Sequence, residues 1–285
     1  MGRLEQKVVV VTGSTRGLGR AIAETFVREG ARVVLVGRSE SDAREAAAQL
    51  DPAGESTLGA GCDVSDLAQV RALASRAIER FGRIDVWINN AGLSAPYGPT
   101  AEIPAERFGR VLLTNVVGTF YGSHVALQHF VPARRGKLVN ILGRGDTGVV
   151  PFQLAYSSSK WWLKAFTVGL AREHRDSGVG IFGYNPGLMS TDFLRHLEAI
   201  QGWEAKLEPL KTVARMWANP PTVPAEELVE LVGAATDGRT GLVKNQLHAG
   251  QLVAGALREG LRRLSGRTGP DFPFDVKTVE STLRA

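Results

Sequence analysis

Along the first 185 residues, short continuous apolar runs alternate with longer stretches whose apolar side chains recur every three or four positions. The first kind of pattern fits strands buried on both faces, the second amphipathic helices. Strands are predicted at Lys7–Thr12, Arg32–Val36, near Thr57–Cys62, at Val86–Asn89, Lys137–Leu142 and Val179–Tyr184. Helices are predicted from about Gly19 to Arg28 and over Asp42–Leu50, Asp66–Phe81, Ala105–Phe130 and Leu154–Arg175. Gly30 is placed to stop the first helix and Asp66 to cap the third. Such alternation implies an α/β domain of Rossmann type: a doubly wound parallel sheet, right-handed crossovers and helices on both faces. The pattern loosens over Leu188–Pro224, a stretch without a clear strand that reads as a substrate lid. A helix at Glu226–Ala235 follows, and the tail from about Gln251 is helical and then irregular. One domain over residues 1–250 with a helical extension at 251–285 is therefore expected.

Composition adds boundaries rather than identity. The 285 residues, 44% hydrophobic and 22% charged, suit one large soluble domain. A net charge of +5 tolerates a phosphorylated ligand, but the charges are dispersed and form no basic stripe, which argues against nucleic-acid binding. Cys62, the sole cysteine, excludes an internal disulfide and sits in an apolar run, as a small buried residue would. The lone histidines 124, 129, 174 and 196 have no paired spacing for a metal, and His248 reads as structural. No apolar run reaches 18 residues and MGRLEQK leads straight into a strand pattern, so a cytoplasmic protein without a leader is the default expectation.

Chemistry first appears in TGSTRGLG, Thr12 to Gly19, between the first strand and first helix. Glycines at 13, 17 and 19 permit a tight turn and close approach to a pyrophosphate, which the helix N-terminus would hold through free N–H groups and its dipole. The second strand ends in Val-Gly-Arg-Ser, with no acid for a ribose 2′-hydroxyl but with Arg38, and Arg16 in the loop, for a 2′-phosphate. NADP(H) is favoured over NAD(H) on that reading. Further on, AYSSSKWW places Tyr156 and Lys160 one helical turn apart, where an ammonium can tune a phenol for proton transfer.

With these motifs in order, the chain resembles the classical short-chain dehydrogenase/reductase family over roughly residues 5–195. TGSTRGLG is similar to its cofactor loop, Asp63-Val64 to its adenine-contacting acid, and Asn89–Gly92 (NNAG) to the motif ending strand four. Asn115 matches the helix asparagine, YSSSK the tyrosine/lysine motif, and Pro186–Thr191 (PGLMST) the segment flanking the nicotinamide. The resemblance implies cofactor contacts at Gly13, Ser14, Thr15, Arg16, Gly17, Leu18, Gly19, Arg38, Asp63, Val64, Asn90, Ala91, Gly92, Tyr156, Lys160, Pro186, Gly187, Met189 and Thr191. It implies that Tyr156 exchanges the substrate's proton, that Lys160 also binds ribose, and that Asn115 holds a relay water. A homodimer or homotetramer is the family's usual assembly.

One position departs from that pattern. The family's substrate-orienting serine, 13 residues before the tyrosine, is Gly143 here, in VNILGRGDTG. Loss of such a donor costs on the order of 10²–10³ in rate, by analogy with oxyanion-hole removals. Thr147 is the better replacement hydroxyl, Ser157 the poorer, and the backbone N–H groups of the glycine turn are a third source. A glycine-rich turn here also looks similar to the chlorophyll b reductase branch, a clue only to substrate size. The reading is an NADP(H)-dependent reductase or dehydrogenase for a fairly large apolar carbonyl or alcohol. Its alternatives are a cofactor-binding sensor or scaffold that lost the chemistry, and a non-redox enzyme on the same fold. In the tail, Val253, Leu257, Leu261 and Leu264 share a stripe with Arg258, Arg262 and Arg263 off it. Packing on the protein's own core or a neighbouring subunit is expected there ahead of a membrane surface.

Overall fold

The computed structural model describes residues 2–247, 249–265 and 272–283. β1 (Val8–Val11) leads into α1 (Gly17–Arg28), β2 (Arg32–Gly37), α2 (Glu40–Leu50), β3 (Thr57–Gly61), α3 (Leu67–Phe81) and β4 (Val86–Asn89). The second half continues with α4 (Ala105–Leu112), α5 (Gly118–Ala133), β5 (Lys137–Ile141), α6 (Leu154–Glu173) and β6 (Gly180–Asn185). Then follow α7 (Asp192–Arg195), β7 (His196–Ile200), α8 (Pro209–Trp217), α9 (Thr222–Val232), β8 (Val243–Asn245), α10 (Ala249–Leu264) and β9 (Asp275–Val279).

Seven parallel strands form the main sheet in the order β3-β2-β1-β4-β5-β6-β8. The all-apolar β1 explains why a sheet buried on both faces forms. Val9 and Val11 join Ile22 and Phe26 of α1 and Leu228 and Val229 of α9 in one core. Val8 and Val10 point the other way, to Leu73 and Ala77 of α3 and Val125 and Phe130 of α5. Strand order reverses between β1 and β4, so a crevice opens beyond their carboxyl ends, where doubly wound sheets bind ligands. Cys62 is buried in the second core, and burial pushes its thiol up to about 12, which removes it as a nucleophile.

Four expectations need correction. The single helix predicted over 105–130 is α4 and α5 joined by a π-helical turn, Leu113–Val117, a feature the 3.6-residue period does not reveal. The helix expected at Glu226–Ala235 starts at Thr222, because Pro224 is tolerated within a first turn. The lid is not free of strands. Its β7 pairs in parallel with β9, so part of the tail expected to be irregular is a strand whose partner lies some 80 positions earlier. A local pattern cannot show such a pairing. Finally, the apolar stripe of α10 does not pack on the protein's own core. Val253, Leu257, Leu261 and Leu264 are 59–87% exposed, while Glu259 faces inward and binds Arg215 and Arg262. His248 lies outside the described residues. Among the described residues no helix is long and apolar enough to cross a membrane.

Candidate active site

The glycine loop forms a cradle that side chains would fill. A methyl group at Gly19 would stand 2.3 Å from the Gly13 carbonyl oxygen, and one at Gly13 would stand 2.9 Å from Ala91 Cα. Gly13 and Gly17 also hold φ values of 64° and 59°, open to glycine at little cost. Ser14, buried at the floor, donates to the Val11 carbonyl and accepts from Val36 N–H, tying β1 to β2. Asn90 Nδ2 donates to the carbonyls of Thr12 and Gly13 at 2.8 and 3.0 Å, so the NNAG motif braces the loop from β4. Asn89 belongs instead to a buried network with Trp87, Ser123 and Asn140. Helix α1 has no side-chain cap and no acid in its first turn, which leaves its N–H groups and positive end for an anion. Thr191 comes within 3.9 Å of a methyl placed on Gly17, bringing the PGLMST segment to the same crevice. Gly187, at φ 69°, turns that segment, and Gln246 Nε2 is buried beside it without a hydrogen-bond partner among the described residues. These features fit a nicotinamide dinucleotide.

At the edge of β2, Arg38 and Arg16 are both exposed, and neither has an ion-pair partner among the described residues. Glu40, the first acid after the strand, is occupied by Arg76 and Arg44 and by the Gly61 N–H, which hold its carboxyl down to about 2. Asp63 remains exposed at the end of β3 and accepts from Ser65. Val64 is buried against Gly118.

Helix α6 brings Tyr156 and Lys160 to the other side of the crevice. Lys160 Nζ lies 5.6 Å from the centre of the Tyr156 ring and donates to the Ile141 carbonyl at 2.8 Å. Burial pushes the lysine down to about 8 and the tyrosine up to about 12; the Asp146 carboxylate raises both. Asn115 sits fully buried in the π turn, with its amide spanning Leu93 N–H, Leu93 carbonyl and Ser159 Oγ. A methyl at Gly92 would lie 3.5 Å from Asn115 Oδ1 and 3.9 Å from Lys160 Nζ, which places these sequence-identified groups around one point.

The space at Gly143 is already taken. A Cβ there would stand 2.5 Å from Tyr156 Oη, so the tyrosine hydroxyl occupies room that a serine would need. Thr147, proposed as a substitute hydroxyl, is exposed on the outer side of the turn. Ser157 is buried, but its Oγ accepts from Val150 N–H at 3.1 Å and holds the loop. The inward residue of the turn is Asp146, 4% exposed, which the sequence reading passed over although it is an acid amid glycines. Its Oδ2 accepts from Asn185 Nδ2 at 3.0 Å.

Phe152 packs on Trp203 at 4.6 Å between ring centres and on Tyr97 at 5.8 Å, joining three loops in one aromatic cluster. Phe193 of α7, half exposed, lies 5.7 Å from the Tyr156 ring. Backbone bonds between Tyr97 and both Glu198 and Ile200 fasten β7 above the site. Phe193 and Trp203 fall in the segment expected as a lid, whereas Tyr97 and Phe152 come from separate irregular loops that no motif marks.

Gly143→Ala adds only the offending Cβ, and Gly143→Ser adds the hydroxyl as well. Both are expected to destabilise by about 1–3 kcal/mol, as overpacking does. They should also slow turnover to a similar degree, measured as kcat beside the melting temperature. A serine variant faster than wild type would mean that only the hydroxyl was missing.

Comparison with known proteins agrees with this geometry. The sequence model described as short chain dehydrogenase matches residues 7–201. A probable chlorophyll(ide) b reductase, NYC1, from rice (Oryza sativa subsp. japonica) is 33% identical over 207 residues, covering 65% of this chain and 41% of that protein. This chain thus spans less than half of the rice protein's length. The 3β-hydroxysteroid dehydrogenase 1 of Eggerthella lenta is 35% identical over 190 residues, 66% of this chain and 72% of that one. In fold, the 3-ketoacyl-(acyl-carrier-protein) reductase from Brucella melitensis, solved with NADH, superposes with a TM-score of 0.74 at 24% identity, over 85% of this chain and 97% of that one. The glycine cradle, the tyrosine–lysine helix and the matched sequence together place this chain in the short-chain dehydrogenase/reductase family of nicotinamide-dependent oxidoreductases.

Proposed function

We propose that the protein is an NADP(H)-dependent carbonyl reductase, or the reverse alcohol dehydrogenase, for a fairly large apolar substrate. The observation that carries this reading is the convergence of Tyr156, Lys160 and Asn115 on the crevice beside the glycine cradle. Residues of the glycine cradle would hold NADPH, whose chemistry there would be hydride donation to the carbonyl carbon. Tyr156 donates its phenolic proton to the carbonyl oxygen. Lys160, held on Ile141, places a positive charge behind the tyrosinate that results. Asn115 braces the segment after β4 against α6 and so fixes the distance between cradle and proton donor.

The choice of NADP(H) rests on Arg38 and Arg16 standing uncommitted where Glu40 is consumed by Arg76. Residues Gly13 to Gly19, Asn90 to Gly92, Asp63-Val64 and Pro186 to Thr191 would line the rest of the nucleotide. An apolar substrate fits the Phe193 ring beside Tyr156 and the aromatic cluster of Phe152, Trp203 and Tyr97. The rice and Eggerthella relatives, by their names, act on a chlorophyll derivative and a steroid, both bulky and largely apolar.

The same reading includes self-association. Phe120, Leu127, Val131, Phe166 and Leu170 line an apolar groove of about 620 Å³ between α5 and α6, and Phe120 is 44% exposed. An apolar furrow of this size on the outside of the fold suits the matching face of a second copy.

Three outcomes are expected. Tyr156→Phe should lower kcat by about 10²–10⁴ while leaving NADPH affinity within about twofold, followed by NADPH consumption and by calorimetric binding. Turnover equal to wild type would end the proton-donor assignment. Arg38→Ala should raise the Kd for NADPH roughly 10- to 100-fold and leave that for NADH unchanged, the worth of a charge-assisted hydrogen bond. An equal loss for both nucleotides would argue for NAD(H). Phe120→Glu should shift the sedimenting species from oligomer to monomer without unfolding it.

A further inference from the structure

We propose that Asp146 is a positioning residue of the Tyr156–Lys160 pair, carried into the site by the glycine turn that stands in place of the family's serine, where it holds the lysine as an ammonium and the tyrosine as a phenol. The inference rests on the reductase reading for what the pair does with its proton, but not for the charge state itself.

The turn is built to bring this carboxylate inward. The chain leaves β5 at Ile141, whose carbonyl binds Lys160 Nζ. Gly143 then lies flat on the pair: a Cβ would be 2.5 Å from Tyr156 Oη and 3.5 Å from Lys160 Cε. Gly145, at φ 111°, presses on the next residue of the same helix, where a Cβ would stand 2.5 Å from Ser157 Cα. No other residue type permits that approach at that φ without strain. Asp146 N–H closes the turn on the Gly143 carbonyl at 3.1 Å. Arg144 consequently points out and Asp146 in. Asn185, at the end of β6, fixes the carboxylate by one 3.0 Å bond, and its own Oδ1 accepts from Gly187 N–H. Asp146 therefore ties the PGLMST segment to the β5 turn whose Gly143 lies against the proton-transfer pair.

A buried carboxylate held by a single neutral amide lacks its usual compensation. Asp146 has no ion-pair partner within 4.0 Å among the described residues, so its field falls on the ionisable groups next to it. The groups facing the pair from other elements are otherwise uncharged: the Ile141 carbonyl from β5, Asn115 from the π turn and the Phe193 ring from α7. Among the described residues, Asp146 is the one charged group that acts on either member. Its effect on both has the same sign, because a carboxylate favours an ammonium and disfavours a phenolate. Removing the charge should let both groups lose their protons at lower pH. In a reductive cycle this matters twice: the phenol keeps its proton for the substrate oxygen instead of releasing it to water, and the ammonium behind it stays charged.

Lys160 titrates in a range open to direct measurement. In protein carrying ¹³C,¹⁵N-labelled lysine, its side-chain resonance can be assigned by its loss in Lys160→Arg and followed by NMR from pH 6 to 10. The wild-type midpoint is expected near about 8. Asp146→Asn keeps an acceptor for Asn185 and removes only the charge. Its midpoint should fall by about one pH unit, a tenfold change in the ammonium-to-amine ratio at fixed pH. Asp146→Ser, smaller and neutral, should do the same, while Asp146→Glu should stay near wild type. These variants keep the test alive if one of them fails to fold. An unchanged or higher midpoint in the folded neutral variants overturns the assignment. The titration needs no substrate, so failure of the reductase reading would appear separately, as absent NADPH consumption with the midpoint shift intact.

Discussion

Lys160 has to be buried to stand behind Tyr156, and an ammonium ion removed from water needs partners that replace its hydration. Burial is the dominant influence on its titration and drives it towards the neutral form, which would be useless for stabilising a tyrosinate. The fold answers with one fixed dipole, the Ile141 carbonyl at 2.8 Å, and one fixed charge, Asp146. Both come from the same short stretch of chain, the end of β5 and the turn after it. The rest of the site is arranged around that requirement. The turn must lie directly on α6, and only glycines at 143 and 145 allow backbone to come so close to Tyr156, Lys160 and Ser157.

That constraint reaches into the scaffold. β5 can deliver its last carbonyl to the lysine because it is an inner strand, paired in register with β4 and β6. β4 in turn carries Asn90 to the glycine loop of β1 across the point where strand order reverses. The π turn makes the corresponding adjustment on the helical side. It inserts one extra residue where α4 passes into α5, and Asn115 is thereby turned inward to grip Leu93 and Ser159. The glycine loop and the helix of Tyr156 and Lys160 are thus joined through short polar contacts rather than by the apolar cores beneath them.

How much of this the sequence disclosed depended on range. The glycine loop, the Tyr156–Lys160 spacing and the six buried strands are local patterns, and each was legible from side-chain period and turn chemistry. Gly143 was legible as a departure but not as a contact, since nothing in VNILGRGDTG says that the tyrosine hydroxyl fills its place. Thr147 and Asp146 are neighbours in a turn, and period gives no rule for which of them faces in. The answer came from Gly145, whose positive φ sets the direction of the chain. The β7–β9 pairing and the Phe152–Trp203–Tyr97 cluster were hidden for a different reason: their partners are far apart in sequence and sit in segments without periodicity.

Seen electrostatically, the glycine at 143 is only half of what this turn contributes. A serine would offer a neutral donor to the substrate oxygen and leave the lysine's charge to the cofactor and solvent. The sequence Gly-Arg-Gly-Asp has no side-chain donor at 143, leaves room there that Tyr156 Oη fills and supplies a carboxylate three positions on. The three features are consistent with one another. Tyr156 has its phenolic form favoured by burial, and the carboxylate pushes in the same direction. The cost falls on the tyrosinate formed after proton donation, which makes a strongly polarised carbonyl, readily protonated as it accepts hydride, a better match than an inert one.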